Sequence, residues 1–364
     1  GRIRNKNYLD QPITMHFKPW KINGHLIQSS ESLAQLEEKV FLNAPEGLKY
    51  AINQLYKLSE GKIDSLRIRT SGSTDAPKEI QFTIEELVAS ADLSIKALGL
   101  TVHSNLLLCL PLTSVGGLMM LVRAMRVGAG LITVTPSSGI QPSMFHHQKI
   151  HWASMTPHQL VNGQESFQSI ENILIGGAAL SDATLSSLLK KPERIVESYG
   201  MTETLSHIAL RERYPNNCPF FSLLEGIKIS RADNSALVIE TPHLRTKSHL
   251  TNDEVELIDE SHFILIGRLD EVINTGGIKI HPRVVEEILS LNRLEKEFFV
   301  CGTPHPELGS QITVVIHAEK DSELSSVQEF IETLDWPNYH KPRKVIARSF
   351  VYTGTGKIDK RATL

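Results

Sequence analysis

The sequence predicts an α/β protein in two parts: a large N-terminal domain with mostly parallel sheets and helices, then a small C-terminal α+β domain. Three observations carry this. At 364 residues the chain exceeds the length at which one hydrophobic core usually stops growing. Between Ile84 and Ser198, apolar runs of strand length alternate with helical patterns, as in sheets whose strands are joined by crossover helices. From Gly267 onward the pattern changes to short strands, a Gly-Gly loop and isolated helices.

Taken in order, Ile84 to Leu98 has the spacing of an amphipathic helix, and Leu106 to Leu110 is an unbroken apolar run that reads as a buried strand. Gly117 to Arg126 reads as a helix; Leu131 to Val134, His151 to Met155 and Ile173 to Ile175 read as strands. Ser181 can cap a helix running to about Lys190. Ile195 to Ser198 is a further short strand that delivers Tyr199-Gly200 to its C-terminal end, where open α/β sheets gather ligands. Beyond Gly267 come a strand, Gly276-Gly277, a helix opened by Pro282, β-rich segments at Glu297 to Val300 and Gln311 to His317, a helix from Ser325 to Leu334 and a strand near Val345 to Val351.

Composition narrows the partners. With 41% hydrophobic and 22% charged residues the chain is an ordinary globular protein, and a net charge of -3 gives no reason to expect nucleic acid or an anionic membrane. Cys109, Cys218 and Cys301 are scattered without metal-ligand or disulfide spacing, so a reducing cytoplasm is the expected location. Gly1 to Asn7 is too polar for a secretion signal, and the most apolar later stretch is interrupted by Arg123 and Arg126, so no membrane span is expected. A homo-oligomer stays open.

Thr70-Ser71-Gly72-Ser73-Thr74-Asp75-Ala76-Pro77-Lys78 gathers four hydroxyls, a glycine and a lysine in one loop. Glycine lets successive N–H groups point one way, hydroxyls add neutral donors, and lysine adds a mobile positive charge, which together suit phosphate. Alone, such a stretch is as readily a solvated turn. Three further segments bear on it: Glu197-Ser198-Tyr199-Gly200-Met201-Thr202-Glu203-Thr204; Gly267-Arg268-Leu269-Asp270-Glu271 with Gly276-Gly277-Ile278-Lys279-Ile280-His281-Pro282; and Thr353-Gly354-Thr355-Gly356-Lys357-Ile358.

In this order the four segments resemble the core motifs of the adenylate-forming superfamily of acyl-CoA ligases, peptide-synthetase adenylation domains and luciferases. The resemblance implies a large domain over 1–268, a hinge at 269–271 centred on Asp270, and a small mobile domain over 272–364 that carries a catalytic lysine, Lys357. It implies ATP, Mg²⁺ and CoA as cofactor and co-substrates, with a small-molecule carboxylic acid as the group activated. Thr70, Ser71, Gly72, Ser73, Thr74 and Lys78 would hold the outer phosphates. Thr202 and Glu203 would sit beside the α-phosphate, with Glu203 binding Mg²⁺, a cation that prefers oxygen ligands. Tyr199 would stack on adenine, flanked by Ser198, Gly200, Met201 and the wall Gly176-Gly177-Ala178. Asp253, in Thr251-Asn252-Asp253, would hold the ribose hydroxyls, although an Asn-Asp pair by itself reads as a turn. Arg268 would contact ribose or phosphate, and Gly276 and Gly277 would leave room for a pantetheine arm. Two departures stand out: Asp75 replaces the usual glycine of the phosphate loop, and only 69 residues precede Thr70, fewer than relatives usually carry, so the large domain is expected to be shortened.

Leu110-Pro111-Leu112-Thr113-Ser114-Val115-Gly116-Gly117, the helix ending in Arg123 and Arg126, and Gly176-Gly177-Ala178-Ala179 most resemble the o-succinylbenzoate:CoA ligases of menaquinone biosynthesis. That acid carries a second carboxylate, so its pocket needs a cation, and Arg123 stands where the resembling ligases have theirs. Ser114, Gly116, Gly177 and His207 would complete the acyl pocket. Other readings are a ligase for another aryl or medium-chain acid, a peptide-synthetase adenylation domain, for which no carrier follows Lys357, and a nucleotide-binding protein without turnover. A P-loop NTPase fails because Val351 stands at its first glycine and Ile358 at its Ser/Thr.

Overall fold

The computed structural model describes residues 16–70, 78–294, 296–318, 323–352 and 358–364. The chain opens with a hairpin, β1 (Trp20–Ile22) and β2 (His25–Ile27), followed by helices α1 (Ser30–Ala34) and α2 (Leu48–Ser59). A separate two-stranded hairpin, β3 (Leu66–Arg69) and β4 (Glu79–Phe82), precedes α3 (Ile84–Leu98). Then β5 (Asn105–Leu108), α4 (Val115–Val127), β6 (Gly130–Thr133), β7 (Ile150–Met155), α5 (Pro157–Asn162), β8 (Ile170–Ile175), α6 (Asp182–Ser187) and β9 (Arg194–Met201) alternate as expected.

Sequence chemistry fixes the ends of these helices. Thr83 and Glu86 form a capping box at the start of α3, and Gly99 ends it at φ +65°. Ser114 caps α4, and a left-handed Gly128 closes it. Ser181 caps α6, but that helix stops at Ser187 rather than near Lys190: Leu188 is already extended, and Pro192 lies a few residues ahead.

Six strands run parallel in the order β9-β8-β7-β5-β6-β1. Their apolar runs are covered on one side by α2, α3 and α4 and on the other by a cluster that includes Phe145, Leu160, Phe167 and Leu185. The same sheet continues past β9 as an antiparallel half that the sequence pattern did not delineate: β10 (Ser206–Tyr214), β11 (Phe221–Leu223), β12 (Lys228–Arg231), β13 (Ala236–Glu240), β14 (Ser248–Leu257) and β15 (His262–Arg268), ordered β12-β13-β14-β15-β11-β10.

Leu269–Glu271 is a short 3-10 turn. After it, β16 (Ile273–Thr275), β17 (Ile278–Ile280), β18 (Phe298–His305), β19 (Gly309–His317) and β20 (Lys344–Arg348) build a five-stranded sheet, with helices α7 (Pro282–Leu291), α8 (Leu324–Thr333) and α9 (Lys360–Thr363). Its core, from Ile273 through Val285, Val314 and Ile331, draws only on residues after the turn. Side chains cross between the two parts: His281 Nε2 lies 2.8 Å from Glu254 Oε2, and Glu287 accepts from the Asp182 backbone N–H at 2.9 Å.

Candidate active site

The site is built on β9, which pairs in parallel with β8 on one side and antiparallel with β10 on the other. Glu197 is 2% exposed, and a buried carboxylate requires compensation. Arg211, its register partner on β10, donates at 2.9 Å, Arg213 lies at 2.5 Å, and the Leu180 N–H donates at 3.0 Å. Arg213 also donates to the Leu180 carbonyl and lies 2.5 Å from Asp182 Oδ1. The network therefore ties the loop between β8 and α6 to β9. That loop carries Gly176-Gly177-Ala178: a Cβ on Gly176 would come within 3.1 Å of Ser198 Oγ, and Gly177 sits at φ +82°. Ser198 Oγ itself donates to the Ile175 carbonyl at 2.8 Å.

Tyr199 emerges beside this wall. Its hydroxyl donates to Asp253 Oδ2 at 2.5 Å, and its ring packs edge-on against Phe263 at 5.2 Å. Burial, then the Asp253 charge, raises the phenol pKa well above its usual range. Asp253 pairs across the ladder with Arg268, whose Nη1 is 3.8 Å from Asp253 Oδ1. Asn252-Asp253 is thus strand, not turn, because β15 takes up its backbone. Arg268 grips Asp270 with two bonds, at 2.8 and 2.6 Å, and this raises the guanidinium pKa. Tyr199, Asp253, Arg268 and Asp270 form one connected row.

Thr202 and Glu203 occupy the turn between β9 and β10, closed by the Leu205 N–H on the Thr202 carbonyl at 3.0 Å. Thr204, which the sequence reading assigned no role, has its hydroxyl 3.0 Å from both Met201 N and Met201 O and 2.8 Å from the Ser206 carbonyl. Only its hydroxyl in the Thr-Glu-Thr motif could have flagged it. Leu205 and Ser206 follow at φ +51° and +99°, left-handed conformations that cost energy at residues with a Cβ. A Cβ on Gly200 would stand 2.3 Å from the Ser206 carbonyl oxygen, so glycine is what lets β10 approach.

Behind this turn lies Arg123, in the middle of α4 and 1% exposed. It donates to Ser206 Oγ at 2.7 Å; its Nε has no partner, and no carboxylate among the described residues pairs with it. Burial pulls the guanidinium pKa down to about 10. His207 is buried alongside, and burial followed by Arg123 pushes its pKa well below the usual range. Ser114 accepts from the Gly117 N–H at 3.1 Å at the start of α4, more than two turns from Arg123 along the same helix. A Cβ on Gly117 would meet the Pro111 carbonyl at 2.3 Å.

Thr70 and Lys78 close the β3–β4 hairpin, the Thr70 N–H donating to the Lys78 carbonyl at 2.8 Å. Ser71, Gly72, Ser73, Thr74 and Asp75 between them, and Lys357, lie outside the described residues. Gly276 and Gly277, at φ +60° and +86°, form the two-residue turn joining β16 to β17, a geometry that glycine accommodates. No cluster of three His, Cys, Asp or Glu that could hold a metal occurs among the described residues. Glu203 at the turn fits Mg²⁺, which is commonly held by one or two carboxylates together with substrate phosphates. No helix of the described residues is long and apolar enough to cross a membrane.

A family model described as AMP-binding enzyme matches residues 66–222, from the β3–β4 hairpin into β11. The chain is thus similar to the AMP-binding enzymes of the adenylate-forming superfamily. Within it, 2-succinylbenzoate–CoA ligase of Listeria monocytogenes is 26% identical over 328 residues, covering 80% of this chain and 68% of that protein. An acyl-CoA synthetase (AMP-forming)/AMP-acid ligase II-like protein from Dyadobacter fermentans superposes with a TM-score of 0.56 at 29% identity, over 92% of this chain and 97% of that one. The o-succinylbenzoate CoA synthetase of Bacillus subtilis, solved with ATP and magnesium ion, gives a TM-score of 0.67 at 21% identity over 82% of this chain and 69% of that one.

Proposed function

We propose that the protein is an AMP-forming acid:CoA ligase that converts o-succinylbenzoate to o-succinylbenzoyl-CoA for menaquinone biosynthesis. The observation that carries the substrate is Arg123, a buried guanidinium with a serine but no described carboxylate beside it, set behind the Thr202–Glu203 turn. A second carboxylate on the substrate would supply the missing counter-charge. The names of the similar ligases point the same way.

In this reading the succinyl carboxylate attacks the α-phosphorus of ATP and pyrophosphate leaves, which gives the mixed anhydride with AMP. Tyr199 and the Gly176-Gly177-Ala178 wall, with Ser198, Gly200 and Met201, hold adenine; Asp253 accepts from the ribose hydroxyls, with Arg268 beside it. Thr70, Ser71, Gly72, Ser73, Thr74 and Lys78 cradle the outer phosphates. Glu203 and phosphate oxygens are the ligands available to Mg²⁺, which would offset phosphate charge there. Lys357 donates to the oxygens between which the anhydride forms, and Thr202 orients the α-phosphate. The part after Leu269–Glu271 then rotates about Asp270, the sulfur of CoA attacks the acyl carbonyl past Gly276 and Gly277, and AMP departs. With ATP and CoA as co-substrates, the cytoplasm is the location that fits.

The test is pyrophosphate release with ATP, Mg²⁺ and CoA across o-succinylbenzoate, benzoate, a medium-chain fatty acid and acetate. Release selective for o-succinylbenzoate, with the thioester identified by mass, is expected. Equal or better release with an acid lacking a second carboxylate overturns the substrate while keeping the chemistry; silence across the panel counts against turnover.

A further inference from the structure

Arg123 can only donate hydrogen bonds, which fixes the direction of its bond to Ser206. Ser206 Oγ, 2.7 Å from Arg123 Nη2, must accept there, and its own proton can go to His207 Nδ1 at 3.4 Å when that nitrogen carries none. His207 is buried and held neutral, so an accepting Nδ1 places its own proton on Nε2. Nε2 lies 3.1 Å from Ser94 Oγ, and Ser94 in turn donates to the Ser90 carbonyl at 3.3 Å. Ser90 Oγ then donates to the Leu205 carbonyl at 2.6 Å. The chain runs from α4 through β10 to α3 and back to the left-handed Leu205-Ser206 backbone. Ser90 and Ser94 are buried helix serines.

We propose that Ser206, His207 and Ser94 are positioning residues for the acid-recognition arginine: a one-way hydrogen-bond chain that fixes the Ser206 hydroxyl and thereby the direction of Arg123. This deepens the reading of Arg123 given above and rests on it. Without the chain, the Ser206 hydroxyl could rotate, and Arg123 would have several orientations to lose when it meets a carboxylate. Selectivity for a second carboxylate is then a property of α3 as well as of the pocket wall, although Ser94 touches no substrate in this arrangement.

The test compares o-succinylbenzoate with 4-oxo-4-phenylbutanoate, the same acid without its ring carboxylate, in ATP–pyrophosphate exchange by the full chain. Ser94→Ala is expected to raise KM for o-succinylbenzoate roughly 5- to 10-fold, the value of one lost buried hydrogen bond, with kcat and the KM for ATP and for 4-oxo-4-phenylbutanoate little changed. Ser94→Thr, which keeps the hydroxyl, restores the parent value, and Ser206→Ala reproduces the selective effect. Imidazole nitrogen shifts at neutral pH should report His207 protonated on Nε2 alone. Equal effects on both acids, no effect of either alanine variant, or a proton on Nδ1 overturns the proposal. Arg123→Met separates it from the substrate reading: if that variant keeps the preference for o-succinylbenzoate, the reading of Arg123 itself fails. If it abolishes the preference while Ser94→Ala and Ser206→Ala do not, only the positioning chain fails.

Discussion

Replacing Arg123 by methionine should make the protein more stable and a worse enzyme. The side chain is 1% exposed and surrounded on α4 by Leu121, Val122, Ala124 and Met125, all fully buried. Lowering its pKa to about 10 corresponds to a penalty of about 3 kcal/mol for keeping the charge there. Against this stands the one bond from the charged guanidinium to Ser206, worth about 1.5 to 3 kcal/mol. Methionine retains the apolar stem and removes the charge, so the net expectation is a gain of up to about 1.5 kcal/mol, in line with other buried ions replaced by apolar residues. A charge-assisted pair with a substrate carboxylate is worth about 1.5 to 3 kcal/mol, so kcat/KM for o-succinylbenzoate should fall about 10- to 150-fold. Urea unfolding measures the first quantity, thioester formation under limiting acid the second. A variant that is destabilised and still turns over o-succinylbenzoate normally would show that Arg123 serves the fold and would refute the reasoning.

Three further outcomes follow from the same geometry. Glu197→Gln leaves Arg211 and Arg213 buried without a full counter-charge and should cost about 3 to 5 kcal/mol in urea unfolding; a loss under 1 kcal/mol would mean that water reaches the network. Gly200→Ala places a Cβ 2.3 Å from the Ser206 carbonyl, so β10 must shift, and pyrophosphate release should fall about tenfold or more in a variant whose circular dichroism is unchanged. Stability should also decline as pH falls: His207 resists protonation in the folded protein, whereas the unfolded ring takes a proton near pH 6.5, so below that value the unfolded state binds more protons. Each pH unit below about 6.5 then removes up to about 1.4 kcal/mol until the folded ring titrates. His207→Gln should flatten that slope, and an unchanged slope would remove His207 as its source.

The parallel half of the sheet was legible because its strands are unbroken apolar runs and its helices carry their own stops, Thr83 with Glu86 at one end and Gly99 at the other. The antiparallel half was not. β10 carries Arg211 and Arg213, and β14 carries His249 and Glu254, so their polar residues mask the alternation; Arg211 and Arg213 can be buried because Glu197 on another strand, and Asp182 for Arg213, pair with them. That information is tertiary. Tyr199, Asp253 and Arg268 could be picked out as members of motifs, but the row they form with Asp270 depends on β14 and β15 pairing in one register. Ser94, Thr204 and Ser206 escaped assignment for a related reason. A serine or threonine hydroxyl is informative only through its partner, and Ser94 and Ser206 find theirs across more than 80 residues of sequence.

The β9–β10 turn is where the acid and nucleotide readings meet. Thr204 pins the turn from inside, and Gly200 lets the Ser206 backbone close over β9. On one side of that closure stand Thr202 and Glu203, on the other Ser206 with Arg123 behind it. Because Leu205 and Ser206 are held in left-handed conformations, the turn has little freedom to relax around one substrate without moving its contacts to the other. A stiff connection of this kind is what an in-line displacement demands, since the attacking carboxylate and the phosphorus must be aligned before either bond changes. The strain at Leu205 and Ser206 and the buried Arg123 guanidinium, which pairs with no described carboxylate, are both costs to folding, and Arg123 bonds Ser206 directly. That coincidence is the strongest physical reason to read this turn as the catalytic centre rather than as a tight corner of the sheet.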